Sequence, residues 1–600
     1  MMQRILKEYR EERERRRAEN LEKQAAEEAK KKENEEKLKE PASSEQRSGG
    51  DEEQIDFVEE LGEGEERCVE HGGCSAVIPF LDDYGLADYI PPDEEDCRFS
   101  NTELAVTYAV LNAAEIAKVE QDFKLLPSYE MGGMLGKVKL PSVSLYRQRI
   151  PLIAAQMDMR DVIFESSKRM HELLSFSEVV YVDAHFMPYY GARDILHGYY
   201  PQKRLAMHGR EYFFVHERDG LPVYATISDG YRKTQHYIKD VDEKLRAIYG
   251  ATKKGLLEVF DRGGYSKEFC VGISETIRFI CWRSDAKEVP KEIRAADWIE
   301  VRVEQQGNGY GQVKEKKLYA CEIKAEFKAE RKKAKFREIW ISKGKKTSPA
   351  LSNDFETPLE DLVQHLTRRW GAQENMFKEL KDHGIDRIHS YRKEAFTEGL
   401  LYRLGLENRD QGICHEIDNP ERRTSNKRIS NLRVQKKRMS DRIIELEKNG
   451  KKKEALKIKR KHQALSRQIT NQIEKRDALP RKVNLFERIK HKGIVRLSDE
   501  KKLFFDWLKM NAIWAKREIV EIVKPFYKDL RDVNKFVKSI LNSRTYVRKS
   551  GDVLHVSFPQ QRSKKAVEAL AQLCATLNES NRINLGSNMK KMIFSVRGQD

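Results

Sequence analysis

The sequence predicts an α/β fold: a mixed-sheet core that carries a β-rich insertion and is flanked by helical segments. Two shifts of hydrophobic period and one charge block predict it. Apolar residues recur at helical spacing up to about residue 172, β-branched and aromatic runs take over from about 177, and helical spacing returns at 357. Residues 421–482 hold 22 Lys and Arg against 7 Asp and Glu, which is nearly the whole of the chain's formal net charge of +16. Such a block fits a polyanion as partner. Six hundred residues exceed a single hydrophobic core, so several structural units are expected.

Residues 1–54 are a highly charged stretch broken by the Ser/Gly-rich "PASSEQRSGG" at 41–50, and they fit a salt-bridge-laced helix or disorder equally. Residues 55–172 read as a helical domain with a DNA contact as one role and packing as the other, on "AVIPFLDDYGLADYI" and "ELAVTYAVLNAAEIAKVE". Within it, "CVEHGGC" (Cys68, His71, Cys74) has zinc-ligand residue types but lacks a nearby mate, and reads instead as a helix cap with buried thiols. The eight cysteines contain no CxxC pair, so no disulfide framework is expected. No apolar run reaches membrane-spanning length and no signal peptide is recognisable, so a soluble cytoplasmic chain without a membrane partner is expected.

From 173 to 297 the runs "EVVYVDAHF", "EYFFVHER", "LPVYATIS", "LLEVFDRGG" and "IRFICWRS" predict five strands, with a hairpin at "RDG" and a helix at "DVDEKLRAIYGATK". Residues 298–350 predict a further β-rich insertion. Residues 351–412 predict a helix from Pro358 to Gly384. Residues 413–482 predict two short antiparallel basic helices joined at Gly450, and 483–600 an α+β domain.

Three acids stand out. Asp183 is placed at the end of the first strand, Asp261 at the end of the fourth, 78 residues on, and Glu374 inside the helix, a further 113 on. An acid at a strand end is ordinarily a turn former. Three in this order, the last after an insertion, suggest a ribonuclease-H-like core in which they meet at one sheet edge. Such a cluster repels itself unless hard cations neutralise it, which points to Mg²⁺ or Mn²⁺, two ions in all.

The segments "YVDAHFMPYYG", "VFDRGG" and "RWGAQENMFKELK" resemble the three catalytic motifs of bacterial insertion-sequence transposases of the DDE type, in the group with "YVDGH"-like first and "RW…QENFFKY"-like third motifs. "DNPERR" before the basic helices and the C-terminal "LHVSFPQQRSKKAVEALAQLCATLNESN" share the likeness, which covers roughly residues 70–600. The resemblance implies that Asp183, Asp261 and Glu374 are the catalytic and metal-binding acids of an enzyme that cuts DNA at element ends. It implies that the freed 3′-hydroxyl is then joined to target DNA, with the enzyme acting on double-stranded DNA as a homo-oligomer.

The third motif departs from the group, with Trp370 and Leu380 where Arg and Lys or Arg are usual. Lys378 and Lys381, four and seven residues after Glu374, share its helix face and are candidate phosphate contacts. Arg369 is a third candidate, although it sits about 140° from that face at 100° per residue. In the basic helices Lys436, Lys437, Arg438, Lys451, Lys452 and Lys453 are candidate DNA contacts that position the duplex without reading sequence.

His185 shares the strand side of Asp183 by the period of two, and is a candidate for a place behind the metal ligands, with a structural role as the alternative. "VDAH" and "VFDRGG" also resemble metallophosphoesterase motifs, but Glu258 stands where that family has Asp and no GNH[DE] segment follows. The remaining alternative is a non-catalytic DNA-binding protein descended from a transposase.

Overall fold

A computed structural model describes residues 61–93, 97, 99–116, 119, 122–123, 131–200, 203, 205–229, 234–250, 255–286, 288–306, 313–329, 332–344, 346–384, 393–394, 416–484, 494–579 and 591–598. It divides into a larger unit, residues 53–393 with 497–600, and a smaller one, residues 1–52 with 394–496.

The larger unit opens with strand β1 (Glu66–Val69) and then helices α1 (Asn101–Ala113), α2 (Val143–Gln156) and α3 (Met159–Leu174). A capping box starts α1: the Ser100 hydroxyl accepts from the Glu103 amide while the Glu103 carboxylate accepts from the Ser100 amide. That helix is buried on every side, which its uninterrupted "LAVTYAVL" requires.

A ten-stranded sheet follows. Its strands are β2 (Val179–Pro188), β3 (His197–Tyr200), β4 (Leu205–Glu217), β5 (Pro222–Asp229), β6 (Leu257–Phe260), β7 (Arg278–Trp282), β8 (Ile299–Gln306), β9 (Val313–Ala329), β10 (Lys332–Ser342) and β11 (Thr347–Ser352). The order is β3-β4-β2-β6-β7-β11-β10-β9-β8, with β5 also on β4. Strands β2, β6 and β7 are parallel neighbours, and β4 pairs antiparallel with both β2 and β5. Helix α4 (Thr234–Tyr249) crosses from β5 to β6, and α5 (Lys267–Ile273) from β6 to β7.

One expectation is corrected by the sheet. Asp183 does not end its strand: β2 runs on to Pro188, paired with β4 throughout. It is β6 that stops, at Phe260 opposite Val182, so Asp183 stands where the sheet loses one neighbour. The last strand of the insertion, β11, pairs antiparallel with β7, so β8–β11 extend the central sheet.

After the insertion comes α6 (Leu359–Asp382). Pro358 precedes it, Glu360 and Asp361 lie in its first turn where the helix dipole favours acids, and Gly384 follows it at φ 72°. Leu362, Val363 and Leu366 recur at helical spacing and pack on Tyr181, Val259, Ile280, Ile339 and Ile341 of the sheet. The opposite sheet residues, Val180, Val182, Phe260, Phe279 and Cys281, join the main core with Ile238 and Val241 of α4.

The smaller unit contains helices α7 (Pro420–Lys448) and α8 (Lys452–Asp477), which turn at Gly450 with φ 72°. They are 29 and 26 residues long, not short. Ile429, Ile443, Leu446, Ala455, Leu465 and Ile469 form their buried seam. Arg422 ties the open end, donating to the carbonyls of Arg476 at 2.9 Å and Leu479 at 2.6 Å.

The chain completes the larger unit with α9 (Glu500–Val523), α10 (Leu530–Leu541), β12 (Thr545–Ser550), β13 (Val553–Phe558), α11 (Lys564–Glu579) and β14 (Lys591–Val596). Strand β1 pairs with β12, so the two ends of this unit share one sheet of order β1-β12-β13-β14. The helical reading of residues 55–172 had no place for β1. His71 follows it with φ 51° and bonds Asn542 at 3.2 Å, and the Cys74 thiol meets the Met134 sulfur at 3.8 Å.

Candidate active site

Adjacent parallel strands bring two of the three acids together. Register pairs Val182 with Phe260, so Asp183 and Asp261 follow on neighbouring strands at the same sheet edge. Both carboxylates meet α6 through one side chain. Arg369 places Nη2 3.3 Å from Asp183 Oδ1 and Nη1 3.9 Å from Asp261 Oδ1. The arginine side chain is only 3% exposed, while those of Asp183 and Asp261 keep 24% and 46% of their surface. The acids therefore look outward from the sheet edge, and the cation lies beneath them.

Glu374 lies on α6, five residues beyond Arg369, but its side chain is outside the described residues, as is that of Trp370. Lys378 and Lys381, farther along α6, are both exposed. Arg369, grouped with them on sequence, faces the acids instead.

The electrostatics of the edge follow from crowding. Burial pushes the Asp183 carboxyl up to about 6, against the pull of Arg369, and the nearby Asp261 charge adds to the rise. Glu211 on β4 was not singled out in the sequence. Burial and then the Asp183 charge push it up to about 7. His216, buried on β4 beside Tyr181 at 5.4 Å between ring centroids, is held down to about 3 by burial and then by Arg369. It stays neutral, so Arg369 is the cation the acids share. His185 is half-buried, opposite Tyr212 of β4.

Carboxylate oxygens already drawn to one cation are the donor type that hard divalent ions take. Asp183 and Asp261 fit that chemistry. Among the described residues no group of three or more His, Cys, Asp or Glu gathers into a ligand set. Glu258, the residue that stands in the metallophosphoesterase position, is 1% exposed, and its parity on β6 places it with Val180, away from Asp261. Burial and then the neighbouring Asp242 of α4 hold its carboxyl well above the ordinary range.

The candidate DNA contacts of the smaller unit are on its surface. Lys437, Arg438, Lys451, Lys452 and Lys453 are exposed and Lys436 is half-buried. Among the described residues no helix is long and apolar enough to cross a membrane.

No curated protein matches the chain. A solved piggyBac transposase, in a synaptic complex with hairpin DNA, aligns at 9% identity over 79% of this chain and 87% of its own, with a TM-score of 0.28. So slight a likeness has no bearing on the fold. The sequence family described as "Transposase protein" matches residues 104–597. That span takes in every strand of the central sheet, α6 and both basic helices, and the chain belongs to this transposase family.

Proposed function

We propose that the chain is a DDE-type DNA transposase with an RNase-H-like core. It cleaves DNA at the ends of its element and joins the freed 3′-hydroxyl to target DNA. The observation that carries the proposal is the meeting of Asp183 and Asp261 on adjacent parallel strands, over the helix that bears Glu374. The strand order β5-β4-β2-β6-β7, antiparallel then parallel, supports the RNase-H-like reading.

In the first step a water oxygen attacks the phosphorus and the 3′-oxygen leaves. In the second, that 3′-hydroxyl attacks a target phosphodiester and displaces another 3′-oxygen. Asp183, Asp261 and Glu374 are the proposed ligands of two Mg²⁺ or Mn²⁺ ions. When bound, such ions acidify the attacking hydroxyl and neutralise charge on the leaving oxygen. The chain's own residues supply placement. Asp183 and Asp261 fix two carboxylates on a rigid sheet edge. Lys378 and Lys381, exposed on the same helix as Glu374, hold phosphates beside the cut. The basic helices α7 and α8 hold duplex DNA through counterion release. Two protomers, one per element end, complete the proposed assembly.

The test is Mg²⁺-dependent cleavage and strand transfer on DNA that flanks the gene, with Asp183→Asn, Asp261→Asn and Glu374→Gln compared with the parent protein. Each variant is expected to lose at least about a thousandfold in cleavage, as removal of a group that acts as part of a unit does, while still binding DNA. Full activity in any one of them refutes the assignment. DNA binding by the parent protein without cleavage on any substrate would identify a non-catalytic descendant.

A further inference from the structure

We infer that Arg369 is the resident counter-ion of the acid pair: a positioning residue that holds Asp183 and Asp261 together before a divalent ion arrives and competes with that ion for the same oxygens. The inference rests on the metal-dependent reading above and adds how the site behaves when empty of metal.

Three observations carry it. One guanidinium spans both acids, with Nη2 on Asp183 at 3.3 Å and Nη1 on Asp261 at 3.9 Å. Its side chain is 3% exposed, and its Nε is buried with no acceptor among the described residues. An arginine so enclosed has few other places to put its charge. The acids it spans are the more exposed partners, at 24% and 46%. An ion arriving from solvent therefore meets the carboxylates first and Arg369 behind them.

The chemistry then follows. Two carboxylates on adjacent strands repel each other, and a fixed cation offsets that repulsion. Arginine cannot answer an incoming cation by shedding a proton, because its guanidinium stays charged in proteins. A magnesium ion requires oxygens at about 2.0–2.1 Å, so the Oδ1 atoms must turn from the guanidinium or share themselves with it. Either way the ion meets a positive charge a few ångströms off. A competing ion has to displace that charge or bind beside it, at a cost of about tenfold or more in affinity. Sequence spacing could not show this role: five residues before Glu374, Arg369 looked badly placed for DNA and had no visible partner.

The test measures Mn²⁺ binding by the paramagnetic resonance of the free ion, on the full chain without DNA. It uses the parent protein, Arg369→Gln, Arg369→Lys, and Asp183→Asn with Asp261→Asn as the metal-site control. Unfolding temperature in chelator is read in parallel. Arg369→Gln is expected to bind Mn²⁺ about tenfold tighter than the parent and to unfold at a lower temperature without metal. Arg369→Lys, which keeps a charge on a shorter reach, is expected to fall between them and also guards against a variant that does not fold. If the control loses Mn²⁺ but Arg369→Gln binds it no tighter than the parent, the counter-ion role is overturned and the metal reading stands. If the control binds Mn²⁺ as the parent does, the metal reading fails and the inference falls with it.

Discussion

Asp506 offers the sharpest test of how the central sheet is braced. It lies in α9 with Lys502 and Lys509 one turn to either side, and all three side chains are at most 1% exposed. Lys509 Nζ is 3.2 Å from Asp506 Oδ1, and Lys502 bonds the other oxygen. Lys509 also donates to the Gly384 carbonyl at 3.0 Å, which anchors the segment just past the end of α6. Trp514, two turns on, donates to the Pro222 carbonyl at 2.8 Å and so fixes the start of β5. Asp506→Ala removes an acid that bonds two buried ammonium groups. Breaking a buried pair in this way costs about 3–5 kcal/mol, or roughly a hundredfold to several thousandfold in the folding equilibrium at about 1.4 kcal/mol per decade. Urea denaturation of the larger unit is expected to show that loss with little change in slope. Replacing the whole group, as Lys502→Met, Asp506→Leu and Lys509→Met together, is expected to restore most of it, because an apolar set of similar volume avoids desolvating three charges. A loss below about 1 kcal/mol for Asp506→Ala, the level of a surface pair, would mean that the lysines reach water and that α9 does not brace the sheet through them.

Three further outcomes are expected. Glu258 is raised well above the ordinary carboxylate range, first by burial and then by Asp242, so the folded state holds its proton more tightly than the unfolded chain. Its contribution is full below the unfolded carboxylate value and is lost as pH rises through the raised folded value. Thermal unfolding of Glu258→Gln is therefore expected to lose less stability toward alkaline pH than the parent, and parallel curves would mean that Glu258 ionises as freely folded as unfolded. In the basic hairpin, Lys451, Lys452 and Lys453 changed together to Gln are expected to flatten the salt dependence of duplex binding by about 0.9 in log-log slope for each phosphate left unneutralised; an unchanged slope places the DNA elsewhere. Finally, a Cβ at Gly264 lies 2.5 Å from Phe260 Cδ2 and 2.9 Å from Ile238 Cδ1. Gly264→Ala is expected to displace the residue before Asp261, cost about 1–3 kcal/mol and slow DNA cleavage while leaving duplex affinity unchanged, as a gel-shift and cleavage assay together would show.

The strands that were legible in the sequence are those whose own residues demanded burial. Val179–Val182, Phe213–Val215 and Phe279–Cys281 are apolar runs with one home, the middle of a sheet covered on both faces. Illegible strands depend on partners that no local pattern announces. Strand β1, "ERCV", pairs with Thr545–Arg548, more than 470 residues away. Strand β11, "TSPALS", carries a proline, normally a mark of an edge. It is central nonetheless: the whole strand pairs with β10, Ala350–Ser352 pair with β7 as well, and the Pro349 carbonyl accepts from the Arg283 amide at 3.0 Å.

The site divides along the same line. Asp183 and Asp261 could be picked out because an acid next to a buried run is costly and therefore conspicuous. Yet the cost was assigned to the wrong geometry, a strand end, when what relieves it is the early stop of the neighbouring strand. Because β6 ends at Phe260, β2 continues beside a gap, and Asp183 keeps a quarter of its side-chain surface in the middle of a ten-residue strand. The same gap lets Arg369 reach up from α6 between the two acids. Charge on a helix reads in sequence as solubility or as a DNA contact, and only the packing of α6 on Tyr181 and Val259 turns this one inward. An acid announces itself by where it must not be, whereas its counter-ion is defined by what it touches, and the two lie 186 and 108 residues apart from Arg369 along the chain. A site of this kind is therefore half readable from sequence: the groups that need neutralising are visible, and the group that neutralises them is not.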